Sequence, residues 1–82
     1  MQQRRTDRRA RVARIVGRRL RERREAMGLS RLAVARAAGI TWGKLASYEG
    51  GAKLPEIGTL IAISAALRWQ VATTLRGVEG EL

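Results

Sequence analysis

The chain has 82 residues and contains no cysteine and no histidine. The first absence excludes disulfide staples and thiolate metal sites. The second removes the commonest general base and the commonest metal ligand. No apolar run approaches the ~18 residues that a membrane span needs. The amino-terminal stretch is rich in Arg and lacks the apolar segment of a secretory signal. The sequence shows no nucleophile–base pair, no metal-ligand cluster and no phosphate-cradling glycine loop. Internal repeats, linkers and strand patterns of useful length are also missing. One small domain is expected, with no cofactor, no metal and no enzymatic activity.

Charge is abundant but of one sign. Lys and Arg number 17 against seven acidic residues, a net charge of +10. The distribution is uneven: residues 1–27 hold eleven Arg against Asp7, Glu22 and Glu25, a surplus of eight, while residues 28–82 have a surplus of two. Such a concentration is the electrostatic footprint of a polyanionic partner. Fifteen of the basic residues are Arg, whose planar fork grips phosphate in a bidentate way that Lys cannot match. A genome that favours Arg codons would also give Arg over Lys, but would not gather the charge at one end.

Periodicity organises the chain into helices. Thr6 and Asp7 form a helix-start signal. Val12, Ile15, Val16, Leu20 and Met27 then recur at helical spacing, with Arg11, Arg14, Arg18 and Arg21 opposite. This predicts a long basic first helix ending at Gly28, with residues 1–5 as a mobile arm. Ser30 caps a second helix whose inner residues are Val34, Ala35 and Ala38. Gly39 ends it in a left-handed conformation. Thr41 caps a third helix that runs to about Glu49, with Leu45 and Tyr48 inward, and Gly50-Gly51 stops it. After Pro55, Ile57, Leu60, Ile61, Ile63, Ser64 and Leu67 form the expected inner stripe of a fourth helix. Trp69, Val71 and Leu75 close a short fifth, and the tail from Gly77 is expected to fray.

The run Gly28-Leu29-Ser30, Val34-Ala35, Gly39-Ile40-Thr41, Leu45, Tyr48-Glu49, Gly51 and Pro55, with Leu20, Arg21 and Arg24 upstream, resembles the lambda-repressor-like Cro/C1-type helix-turn-helix domain, the XRE family. The resemblance covers residues ~15–75 with no insertion or deletion. It implies an all-α, five-helix bundle in which the second and third helices form the motif, residues 31–50. The corresponding division is a basic arm and helix extension over 1–14, the helix-turn-helix domain over 15–76 and a short tail over 77–82.

The resemblance also assigns roles. Arg31, where the family commonly has Gln, would touch the DNA backbone and buttress a base contact, a position suited to a phosphate clamp; the alternative is a solvated charge. Thr41, Trp42, Gly43, Lys44 and Ser47 are the groove-facing positions of the third helix. Lys44 would bond guanine, and Ser47 an edge or a phosphate. Gly43 is a poor helix former that admits either close backbone approach or a frayed first turn. Trp42 would lie against thymine methyls or the sugar-phosphate wall, or else fold back onto the domain. Lys53 falls in a loop that contacts phosphate in the family. Arg24 and Glu49 correspond to a structural ion pair, and Trp69 to a core position. Arg4, Arg5, Arg8 and Arg9 form a basic arm, directed at the backbone or minor groove or serving as a solubilising tail.

The expected function is sequence-specific binding of double-stranded DNA by a transcriptional regulator of repressor, Cro-like or mobile-element type. A homodimer on a palindromic operator is expected, pairing through Trp69, Val71, Leu75 and Val78, or through the first helix. The expected location is cytoplasmic, at the nucleoid. The alternative is an antitoxin or small adaptor that acts through a toxin or RNA polymerase and binds DNA weakly.

Overall fold

The computed structural model describes residues 2–82, with side chains from residue 5 onward. Five α-helices follow one another: α1 (Gln2–Ala26), α2 (Arg31–Ala38), α3 (Trp42–Glu49), α4 (Ile57–Ala66) and α5 (Val71–Leu75), then a 3₁₀ turn over Val78–Glu81. The described residues form no strand. The all-α expectation therefore holds.

Local chemistry sets most boundaries. Ser30 accepts a hydrogen bond from the Ala33 amide and Thr41 from the Lys44 amide, so each satisfies a helix-start donor. Gly39 has φ 72°, and the Ile40 amide returns to the Ala35 carbonyl, 3.0 Å away. Only glycine enters this left-handed region without steric cost. Glu56, which the sequence reading passed over, caps α4 through the Thr59 amide.

Two start and stop signals read differently in three dimensions. Helix α1 does not begin at Thr6 but is already formed from Gln2. Gln and Arg are good helix formers and nothing in residues 2–5 breaks the run, so the expected mobile arm is a helical extension. At the other end, the tail is not frayed: Val78 is buried, and Glu81 bridges Arg18 and Arg19 of α1.

The core joins Val16 and Leu20 of α1, Val34 and Ala35 of α2, Leu45 of α3, and Leu60, Ile63 and Leu67 around α4. Each fully buried aliphatic side chain contributes about 1.5–3 kcal/mol relative to exposure. Arg11, Arg14, Arg18 and Arg21 lie on the exposed face of α1. Ser64 and Thr74, both buried, satisfy each other across α4 and α5 at 3.1 Å.

Three expected core positions move outward. Ile57 is 62% exposed and Ile61 53%. Leu60, Ile63, Ser64 and Leu67 already complete one stripe at i, i+3, i+4 and i+7, which leaves those two on its flank. Trp69 is half-buried, with the Arg23 guanidinium over its ring at 5.2 Å. The residues expected at a pairing surface, Trp69, Val71, Leu75 and Val78, are half-buried or buried. Val78 lies in the chain's own core, and Val71 and Leu75 pack against it.

Helix α1 meets α3 almost backbone to backbone. A Cβ at Gly17 would sit 2.1 Å from the Tyr48 carbonyl oxygen and 2.9 Å from that of Glu49. An isolated glycine inside a helical pattern signals such a contact, and the sequence reading missed it.

Candidate nucleic-acid interface

The left-handed Gly39 turn sets α2 and α3 across each other, and buried Val34, Ala35 and Leu45 fix the crossing. What remains outward on α3 is its first turn. Thr41, Trp42, Gly43 and Lys44 are all exposed, and Ser47 is half-buried one turn on. Nothing lies within 4 Å of a Cβ built at Gly43, so this turn presents a smooth backbone surface. These residues lie together on the exposed start of α3. The Thr41 hydroxyl is engaged as the cap.

Behind this face lies an ion network. Arg24 places Nε 2.8 Å and Nη2 3.0 Å from the two oxygens of Glu49, and its Nη1 donates to the Leu29 carbonyl. The Glu49 side chain is only 2% exposed, so this bidentate pair replaces the water both charges have lost. The hydrogen bond to Glu49 raises the Arg24 pKa, and burial opposes it less strongly. The Arg24–Glu49 pair expected from the resemblance is thus present.

The network has a third arm. Arg31 Nε donates to Glu49 Oε1 at 2.9 Å, and the Arg31 guanidinium lies over the Trp42 ring at 5.7 Å from its centroid. Arg31, read as a helix-start charge aimed at phosphate, is therefore held on both sides. Trp42 neither folds into the core nor stands alone: it is 51% exposed and covered on one face by Arg31. The sequence held no signal for this link, because the partners come from α2 and the two ends of α3.

The basic run divides by use. Arg19 donates to the Thr74 and Arg76 carbonyls and pairs with Glu81; Arg23 donates to the Leu67 carbonyl. Arg18 pairs with Glu22 and Glu81, and Arg21 with Glu25. Much of the charge in the second half of α1 thus serves the fold. Arg5, Arg8 and Arg9 are exposed on the first half, and the Arg4 side chain lies outside the described residues. Arg9 and Lys53 share an open groove of about 380 Å³ between α1 and the loop after α3, with Thr6, Ala10, Ala13 and Leu54 also lining it. Two separately expected DNA-facing elements meet there.

Among the described residues, no helix is long and apolar enough to cross a membrane, and no group of three or more His, Cys, Asp or Glu is placed to hold a metal.

Comparison with known proteins is consistent with this geometry. The family model of the helix-turn-helix domain matches residues 15–76. The chain superposes on the clp gene regulator ClgR from Corynebacterium glutamicum with a TM-score of 0.79 and 27% identity, covering 85% of this chain and 74% of that one. A second ClgR structure gives a TM-score of 0.78 and 27% identity, over 87% and 92% of the two chains. The restriction-modification controller protein C.AhdI from Aeromonas hydrophila matches with a TM-score of 0.73 and 26% identity, over 76% and 94%. No curated protein matches the chain at a significant level.

Proposed function

We propose, since this chain belongs to the helix-turn-helix domain family, that it is a sequence-specific regulator of transcription that sets the first turn of α3 into the major groove of double-stranded DNA. The coarser reading, a DNA-binding regulator, follows from the family and from the regulators ClgR and C.AhdI. The finer reading rests chiefly on one observation: Trp42, Gly43 and Lys44 stand outward on a helix whose other side is fixed by buried Leu45. Lys44 and Ser47 reach base edges, Thr41 holds the turn, and Lys53 with Arg5, Arg8 and Arg9 contacts phosphate. The groove shared by Arg9 and Lys53 supports the last assignment.

One recognition helix offers only about three or four side chains to base edges, so the regulator acts as a homodimer on a palindromic operator. Helix α4 supplies the pairing face. It carries no charged residue, and Ile57 and Ile61 stand exposed on it one turn apart. In a chain of net charge +10, this is a face on which two copies approach without setting arginine against arginine, and interface centres are depleted of charge.

Selection of binding sites from a random duplex pool, at near-physiological salt with excess competitor, tests the reading. A palindrome is expected, its half-sites about one helical turn apart. Absence of enrichment, with binding that vanishes as salt rises, would leave only the phosphate term and overturn it.

A further inference from the structure

We infer that Arg31 and Trp42 act as one composite reader, in which Arg31 hydrogen-bonds a guanine and the Trp42 ring covers the methyl group of a neighbouring thymine. The inference rests on the DNA-binding reading above and goes beyond it by naming the base step that is read.

A phosphate accepts an Arg fork from many directions and does not require the side chain to be held, whereas a base edge does. Arg31 is held at Nε by a hydrogen bond and beside the Trp42 ring by a cation–π contact. Its Nε is taken by Glu49 Oε1 at 2.9 Å, and Glu49 is itself pinned by Arg24 through both carboxylate oxygens. The guanidinium carbon lies over the Trp42 ring, 5.7 Å from its centroid. With Nε engaged, the remaining donors are the two terminal nitrogens, and no described residue accepts a hydrogen bond from them. The side chain stays 33% exposed. A planar pair of donors held in a fixed direction matches the O6 and N7 acceptors on the major-groove edge of guanine.

Trp42 supplies the second half. It is the first residue of α3, so it belongs to the same outward turn as Lys44. A half-exposed indole there is an apolar surface, and the apolar feature of the major groove is the thymine methyl. Because Arg31 lies over Trp42, the guanine and the thymine are neighbours. Glu49 and Arg24 are positioning residues in this arrangement and touch no base.

The test uses duplexes carrying the selected site, with 7-deazaguanine replacing each guanine in turn and uracil replacing each thymine. The unaltered protein is expected to lose about tenfold in affinity for 7-deazaguanine at one position, and several-fold for uracil at an adjacent one. Arg31→Lys is expected to become indifferent to the first replacement, and Trp42→Ala to the second. Because Lys44 is also assigned to a base edge, the sensitive guanine is assigned by the variants: Arg31→Lys should lose that sensitivity and Lys44→Ala should keep it, each read beside its melting temperature. Sequence preference that ignores both analogues at every position, with Arg31→Lys weakening all duplexes equally, overturns the composite reader and leaves the regulator reading standing. Loss of all sequence preference in the unaltered protein overturns both.

Discussion

The buried Arg24–Glu49 pair shows how one residue serves two purposes. Glu49 accepts from Arg24 and from Arg31, so the anchor between α1 and α3 also holds a side chain of α2 beside the exposed first turn of α3. The cations divide in the same way. Lys44 stands exposed on α3, while Lys53 lines the groove with Arg9. Their removal should therefore have different consequences. Lys44→Ala is expected to relax preference at one base pair, costing about 1–3 kcal/mol on the cognate site and little elsewhere. Lys53→Ala is expected to weaken binding to every duplex and lower the salt slope by about one. Affinities for the operator, a point-substituted operator and a random duplex, each across a salt series, check both. Equal losses on every sequence for both variants would remove Lys44 as a reader.

The elements were legible wherever a boundary is fixed by residues close in sequence. Ser30, Gly39 and Thr41 each act within a few positions of themselves, and this is why the helix-turn-helix motif could be read from the chain. Ile57 and Ile61 lie outside the expected stripe because periodicity reports only that a residue is apolar, whereas Trp69, placed in the core by the resemblance, is half-buried with Arg23 over its ring. Which side of α4 meets the core is decided by α2 and α5. The arm was misread for another reason: Thr6 is a cap signal, but an uninterrupted run of helix formers precedes it. The Arg31–Trp42 stack was invisible because it joins residues of different helices. Gly17 was legible in principle and carries a prediction. Gly17→Ala should gain up to about 1 kcal/mol in helix propensity, yet its methyl would lie 2.1 Å from the Tyr48 carbonyl oxygen. That oxygen is backbone and cannot swing aside, so α1 must shift from α3. Net destabilisation of about 1–3 kcal/mol is expected, read from the urea midpoint. A gain in stability would mean that α1 and α3 are not so close.

At the scale of the whole molecule, the closing turn is tied to the second half of α1. Glu81 in the closing turn reaches Arg19 and Arg18 on α1, and these contacts hold its pKa below the ordinary carboxylate value, the hydrogen bond from Arg19 most of all. A depressed folded-state pKa stabilises above the unfolded value, and that stabilisation is lost as pH falls through the folded one. The closing turn should therefore loosen in acid. Glu81→Gln should lower the melting temperature at neutral pH, and the difference from the unaltered chain should close below the carboxylate range. A pH-independent difference would show that the ion pair is not its source. The pairing proposed above also belongs to this scale. The exposed apolar residues of α4 form a small face, and interfaces below about 1,200 Å² belong to transient encounters. Two copies of charge +10 repel, and DNA phosphates relieve that repulsion. The dimer should thus be weak in free solution and firm on the operator. Sedimentation velocity is expected to show monomer alone and two chains per palindromic duplex. The double variant Ile57→Glu with Ile61→Glu should keep its melting temperature, because both side chains already face water, and should bind one half-site at a time. Two chains bound cooperatively by that variant would place the pairing surface elsewhere.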